Sequence, residues 1–150
     1  MKNWLIAFMG ACAAAAFVVC TQATFATVPL AGSVRLTETS WGGSGRLWLL
    51  VGCACAGLLA ALTLRRGPWA VLFPAIGLGL LLDMGISGWD WRAEKLEELR
   101  GLGLQSLASG IQYGLGLTAL AVGAGFLLAQ LLLALASRGS AGPIPPKKEP

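Results

Sequence analysis

The residues that could carry chemistry are few in this chain of 150 amino acids. The chain has no histidine, so it lacks the commonest general base and metal ligand, and any ordinary Ser-His or Cys-His nucleophile. A histidine-ligated metalloprotease or haem subunit is excluded on the same ground. We therefore expect a protein that is not an enzyme and that binds no metal or cofactor.

The four cysteines do not form a reactive pattern. Cys12, Cys20, Cys53 and Cys55 all lie in apolar stretches, and no CxxC motif is present. Cys53 and Cys55 are two positions apart, so on a helix they point about 200° away from each other and cannot share a metal. Four-helix thiol-oxidising membrane enzymes need cysteine pairs at the outer face, which this sequence lacks. The cysteines are best interpreted as small buried apolar residues, while pairing across a helix interface stays open.

One acidic residue, Asp83, adjoins an apolar stretch. A charged side chain at the centre of a membrane costs at least about 2.5 kcal/mol and marks function by default. We expect Asp83 to lie at the outer end of its helix, in the interface; if it is buried, Arg46 is the expected partner. No second acid lies in an apolar stretch, so a catalytic aspartate pair is not supported.

The composition predicts the secondary-structure elements on which these residues lie. The chain is 56% apolar and 12% charged, against about 45–50% and 25% in soluble domains. The charged residues cluster and leave four charge-free runs of 16 to 37 residues, and about 20 apolar residues suffice to cross a membrane as a helix. We predict an all-α fold, an integral membrane four-helix bundle over residues 1–138, with spans near residues 4–26, 47–64, 68–87 and 113–137.

The first span has a second interpretation. Lys2, an apolar stretch and Thr24-Phe25-Ala26 also fit a secretory signal peptide with a weak cleavage site. The uncharged run continues well past a typical signal core, so a retained first helix is favoured.

Basic residues predict the orientation. Arg65-Arg66 in a tight loop and Lys2 beside the first span lie close to span ends, where positive charge favours the cytoplasm. We predict a multi-pass protein of a bacterial cytoplasmic (inner) membrane with both termini cytoplasmic. The Pro-rich residues 139–150 are predicted to form a disordered cytoplasmic tail.

Two outer segments connect the spans. Residues 27–46 contain period-two alternation and a turn-rich stretch, which predicts a short strand or hairpin. Asp90–Arg100 predicts an outer amphipathic helix with Leu96 and Leu99 on its apolar face, Asp90 as a cap, and Gly101 or Gly103 at its end. This helix would lie on the membrane surface, dock a partner, or do both.

All six tryptophans fall at predicted span ends or in the loop beside them. Indole prefers the headgroup zone, so an aromatic belt explains the pattern without any ligand. The alternative is an aromatic ligand-binding cage, for which the candidates are Trp41, Trp89 and Trp91.

Small residues repeat at helical spacing. Gly110 and Gly114 form a GxxxG motif, and Ala119/Gly123 and Ala121/Gly125 continue the spacing down the fourth span. Such positions let membrane helices approach closely. Packing within one chain and a flat face offered to another subunit are equally compatible with this pattern.

The overall pattern resembles the small four-pass bacterial membrane proteins of unknown function. The resemblance rests on a second span ending in Arg-Arg, a third opening with Pro-Trp, and a Gly-rich fourth span followed by a basic tail. It covers about residues 1–138 and implies an architecture, with no site transferred.

The absent catalytic groups and abundant small-residue faces favour an accessory or scaffolding subunit of a larger membrane complex. The expected partners are the lipid bilayer and other membrane-protein subunits or a second copy, with no nucleic acid. The alternative is a small transporter or channel component in which Asp83 faces a water-filled cavity. Such a component could be a homo-oligomer. A third hypothesis, an enzyme, would need Asp83, Arg46 and Tyr113 to converge in one pocket.

Overall fold

The computed structural model describes residues 2–28, 32–39, 42–63, 68–104 and 111–139. Within these ranges it is mostly helical, with four helices: α1 (Lys2–Gln22), α2 (Ser44–Thr63), α3 (Trp69–Gly101) and α4 (Leu115–Gly139). Each helix contains a stretch long and apolar enough to cross a membrane, by length and composition. The prediction of four such helices is confirmed. Trp41, Gly110 and the tail beyond residue 139 lie outside the described residues.

The fold is mostly helical, as predicted, and has one small sheet beside the helices. Three short strands, β1 (Thr24–Val28), β2 (Gly32–Arg35) and β3 (Gln112–Tyr113), form an antiparallel sheet in the order β2-β1-β3. A short strand is present in the predicted segment as β2, but it pairs with β1, which begins inside the predicted first span, and Leu36–Glu38 form a 3-10 helix where the alternation predicted strand. The 21 residues of α1 already extend about 31 Å, enough to cross a hydrocarbon core, and the β-branched residues that follow suit a strand.

The sheet ties the end of α1 to the start of α4. Ala26 on the central strand lies opposite Val34 of β2 and Tyr113 of β3. The N–H of Gly114 then donates to the carbonyl of Phe25 at 2.8 Å. We call this end of the bundle, with β1 to β3, the sheet end. The sequence Thr24-Phe25-Ala26, which resembles a cleavage site, lies in the central strand of this sheet.

The larger buried cluster joins the sheet to all four helices. Phe17 and Cys20 of α1 are fully buried with Leu47 and Leu50 of α2, and Met84 and Leu127 bring in α3 and α4. A smaller cluster at the opposite end is formed by residues of three helices, Ile6, Ala61 and Ala134. The best-packed part of the chain therefore lies toward the sheet end.

The predicted outer amphipathic helix is not a separate element. α3 runs unbroken for 33 residues, about 50 Å, so Asp90 lies inside the helix and does not cap it. Good helix formers from Ala93 to Arg100 carry the helix onward. It ends where predicted: Gly103 has φ +73°, its N–H donates to Arg100, and that of Leu104 donates to Leu99, both at 3.0 Å. These bonds form a Schellman motif.

The apolar face of this extension is already covered. Leu99 is buried and Leu96 is half-buried, whereas Glu94, Glu97 and Arg100 are exposed. The prediction that Leu96 and Leu99 would contact a partner is therefore corrected for Leu99, because its surface is used within the chain. The exposed surface of the extension is mainly polar, with Trp89 and Leu102 as its exposed apolar residues.

Candidate functional site

Asp83 and Arg46 form an ion pair at the sheet end. The Nη1 atom of Arg46, in the first turn of α2, lies 3.2 Å from Oδ2 of Asp83 on α3, and the side chains are 41% and 61% exposed respectively. The expected partner is thus present, although Asp83 is exposed. Because the pair sits where the apolar half of α3 meets its polar half, it marks the level at which the bundle changes from apolar to polar.

We expect Asp83→Asn to change the free energy of unfolding by at most about 1 kcal/mol, since exposed ion pairs contribute little. The measurement is the apparent melting temperature of the purified protein in mild detergent at low and high salt. Asp90→Asn, an exposed acid two turns further along α3, is the matched control. A loss above about 2 kcal/mol for Asp83→Asn alone would contradict an exposed pair.

A cavity of about 230 Å³ opens beside this level, between β1, α3, β3 and α4. We call it the aromatic pocket. Its lining residues are mostly aromatic or aliphatic, with small residues on α3 and one cation: Phe25, Leu81, Met84, Gly85, Gly88, Trp89, Trp91, Arg92, Tyr113, Leu117 and Leu120. It is the feature of the described residues that most resembles a binding site, because apolar concave surfaces with a few polar groups are the usual form of one.

Phe25 contacts two other aromatic rings of the aromatic pocket. Its ring makes edge contacts with Trp91, at 6.5 Å between centroids, and with Tyr113, at 6.1 Å. Such edge-to-face pairs hold rings in defined orientations. Phe25 is buried on β1, which packs against α4, and Tyr113 reaches it because β3 pairs with β1. The sheet therefore supplies the part of the pocket wall that Phe25 and Tyr113 form.

Arg92 supplies the charge. Its guanidinium carbon lies 6.0 Å from the centroid of the Trp89 ring, within reach of a cation–π interaction. Arg92 and Trp89 are both exposed. A guanidinium can bind and orient an anion through paired N–H donors, and the aromatic rings beside it provide apolar contact surface. This arrangement suits binding.

The sequence identified part of this pocket. Trp89 and Trp91 were candidates for an aromatic cage, and both line it. Phe25 was assigned to the first span, and Arg92 was not selected. Asp83 and Arg46 line neither this pocket nor a groove along α2 that Trp48 and Cys53 line. The convergence of Asp83, Arg46 and Tyr113 in one pocket is thus not seen in the described part of the chain.

Glycines just before α4 and along it divide between packed and open positions. A Cβ on Gly114 would lie 2.5 Å from the carbonyl oxygen of Thr24, and one on Gly123 would lie 2.5 Å from Cε1 of Phe17. Both glycines therefore serve packing within the chain. A Cβ on Gly125, in contrast, would meet no described atom within 4 Å.

A polar residue that the sequence pattern did not select lies at the middle of the bundle. The Gln130 side chain is fully buried, and neither of its amide atoms has a hydrogen-bond partner among the described residues. A Cβ on Gly10 or on Gly57 would lie 2.7 or 2.8 Å from its Nε2 atom. Glycines on α1 and α2 thus make the space that the amide fills.

No protein-family model matches this chain, and no curated protein and no solved structure is detectably similar to it. The resemblance to small four-pass bacterial proteins therefore rests on architecture alone. The four cysteines are unpaired, and the thiol of Cys20 donates to the carbonyl of Gly116 at 3.3 Å. Within the described ranges, no three His, Cys, Asp or Glu side chains lie together as a metal site would need.

Proposed function

We propose that this chain is a non-catalytic multi-pass membrane protein that serves as an accessory or scaffolding subunit of a larger membrane complex. The observation that carries the proposal is an outward face of α4. Ala121 and Gly125 are exposed, and the exposed leucines Leu128 and Leu132 continue the same helical face. A small-residue notch between larger apolar residues lets a second helix approach closely in a bilayer.

The proposed setting is a bacterial cytoplasmic membrane with the sheet end outside. In this orientation both termini are cytoplasmic, and the Arg46–Asp83 pair lies at the outer headgroup level. Large apolar side chains are exposed on all four helices, among them Phe8, Leu59, Leu82 and Leu132, as contact with lipid requires. The polar half of α3 would then extend beyond the membrane as a rigid helix.

The alternative, a small transporter or channel component, predicts that Asp83 faces a wet cavity and that Asp83→Asn abolishes flux in liposomes. Asp83 instead lies beside Arg46 on the surface. The structure adds no support to this alternative, and the accessory subunit is the better hypothesis.

The test of the proposed function is Gly125→Leu. We expect a tagged wild-type chain to co-purify with a stoichiometric membrane-protein partner in mild detergent. Gly125→Leu should lose that partner while keeping its own melting temperature, because leucine fills the outward notch. Gly52→Leu is the control, since Gly52 on α2 is also open but lies on another helix.

Two results would oppose the proposed function, and a third would oppose only the assignment of the α4 face. A wild-type chain that elutes as a lone monomer and retains nothing from native membranes would overturn it. A homo-oligomer without any second component would favour the transporter or channel alternative. Retention of the partner by Gly125→Leu would overturn the assignment of the α4 face.

A further inference from the structure

We propose that the aromatic pocket is a binding site for one anionic phospholipid of the surrounding bilayer. The pocket would hold the upper part of an acyl chain, with Arg92 on the headgroup phosphate. This inference rests on the membrane location proposed above and goes beyond the subunit role.

Along the axis of α3, the lining of the aromatic pocket changes from apolar to charged. An amphiphile changes in the same way from its tail to its headgroup. Leu81 and Met84 contribute from the apolar half of α3, and Arg92 from its polar half. From Leu81 to Arg92 the helix rises about 16 Å. α4 runs the opposite way, so Leu120 lies deeper than Leu117 and than Tyr113 of β3. A ligand that is apolar at one end and anionic at the other matches this gradient.

Charge and aromatic content favour an anionic headgroup. Arg92 has no carboxylate within ion-pairing distance among the described residues, so its charge is available to a ligand. Guanidinium binds phosphate with paired N–H donors. Trp89 and Tyr113, both exposed, are amphipathic residues of the type that concentrates at headgroup level.

The size of the pocket favours part of a lipid over a free metabolite. Its volume of about 230 Å³ is below the roughly 300–1,000 Å³ of sites that enclose a drug-sized ligand. A bilayer lipid needs only part of its surface covered, since the rest stays in the membrane. The bilayer also presents this ligand at high local concentration.

The experiment uses the full chain in mild detergent and native mass spectrometry. The probes are phosphatidylglycerol and phosphatidylethanolamine with identical palmitoyl and oleoyl chains. We expect tighter binding of phosphatidylglycerol, and Arg92→Gln should weaken it by about fivefold, as expected for one surface arginine. Arg100→Gln removes the same charge from an exposed site outside the pocket and should leave binding unchanged.

A second pair of variants tests the acyl part. Gly85 lines the pocket, and Gly79 does not; an added Cβ meets no described atom within 4 Å at either glycine. Gly85→Leu should fill the pocket and abolish binding of both lipids, whereas Gly79→Leu should bind as wild type. Both substitutions raise helix propensity equally, so a difference reports on the pocket. Circular dichroism of each variant checks that it is folded.

Three results would overturn the lipid site: equal affinity for the two lipids, unchanged phosphatidylglycerol binding by Arg92→Gln, or unchanged binding by Gly85→Leu. Competition by inorganic phosphate or glycerol phosphate as strong as by the intact lipid would show a plain anion site instead. Flotation of the wild-type chain with phosphatidylcholine vesicles tests membrane insertion separately. Loss of the partner in the co-purification experiment would leave these lipid results unaffected.

Discussion

Gly123→Leu should destabilise the bundle, because it overpacks the contact between α1 and α4. The added side chain begins 2.5 Å from the Phe17 ring, and that ring is 0% exposed, so it has no free space to move into. Overpacking a filled core costs about 3 kcal/mol at the upper end of its usual range. The gain in helix propensity returns about 1 kcal/mol, which leaves a net loss of about 2 kcal/mol or more.

The matched control lies two residues further along the same helix. Gly125→Leu makes the same chemical change where an added Cβ meets no described atom within 4 Å. It should leave the stability of the isolated chain unchanged or slightly raised. Both variants are compared with wild type by thermal unfolding in mild detergent, followed by far-ultraviolet circular dichroism.

A double variant identifies the cause. Phe17→Ala alone should cost about 3–5 kcal/mol, because it leaves a cavity. Combined with Gly123→Leu, the leucine fills part of that cavity, so the double variant should be more stable than the sum of the single losses predicts. Additive losses, or a Gly123→Leu variant as stable as Gly125→Leu, would show that α1 and α4 do not approach closely at this point.

Gln130→Met should stabilise the bundle by about 1–3 kcal/mol. Methionine has nearly the shape of glutamine, so it keeps the packing against Gly10 and Gly57 and removes an amide whose atoms lack partners in the described structure. Burying an unsatisfied polar group costs about that amount. The measurement is the unfolding of the purified chain by a denaturing detergent, from which the change in free energy follows.

Three further variants test whether the unpartnered amide causes this stabilisation: a control, a single substitution and a double substitution. Gln22→Met, at an exposed position at the end of α1, is the control and should be nearly neutral. Gly10→Ala should destabilise, because its Cβ would meet the Gln130 amide at 2.7 Å and the carbonyl oxygen of Ala54 at 3.1 Å. Gln130→Ala in the same chain should relieve part of that loss. A Gln130→Met variant less stable than wild type would contradict an unpartnered amide.

The sequence was sufficient for features that depend on local composition. The charge-free runs located the four helices, because a lipid-facing segment excludes charge over its whole length. Gly101 and Gly103 predicted the region where α3 ends, and Gly103 adopts the positive φ that only glycine takes at little cost. The ion pair of Arg46 with Asp83 was also predictable, because both residues stand at the same end of the second and third predicted spans, which run antiparallel.

Features that depend on distant segments could not be predicted in the same way. A charge-free run shows where lipid is tolerated and does not show where a helix stops, so β1 was hidden inside the first span. β3 has only two residues, too few for any strand pattern. The aromatic pocket depends on both strands, because Phe25 and Tyr113 reach α3 only through the sheet. Gln130 carried no periodic signal at all.

The packing of α1 has a consequence for the order in which the chain is made. α1 leaves the ribosome first, yet its most extensive contacts are with α4, which leaves last. At about 5–20 residues per second, the delay is on the order of ten seconds. During this delay, Phe17 cannot pack against Gly123. One edge of β1 also stays unpaired until Gln112 and Tyr113 have been made. The four-helix fold is therefore incomplete until α4 has been made, and β3 and α4 complete the sheet and the core around Phe17.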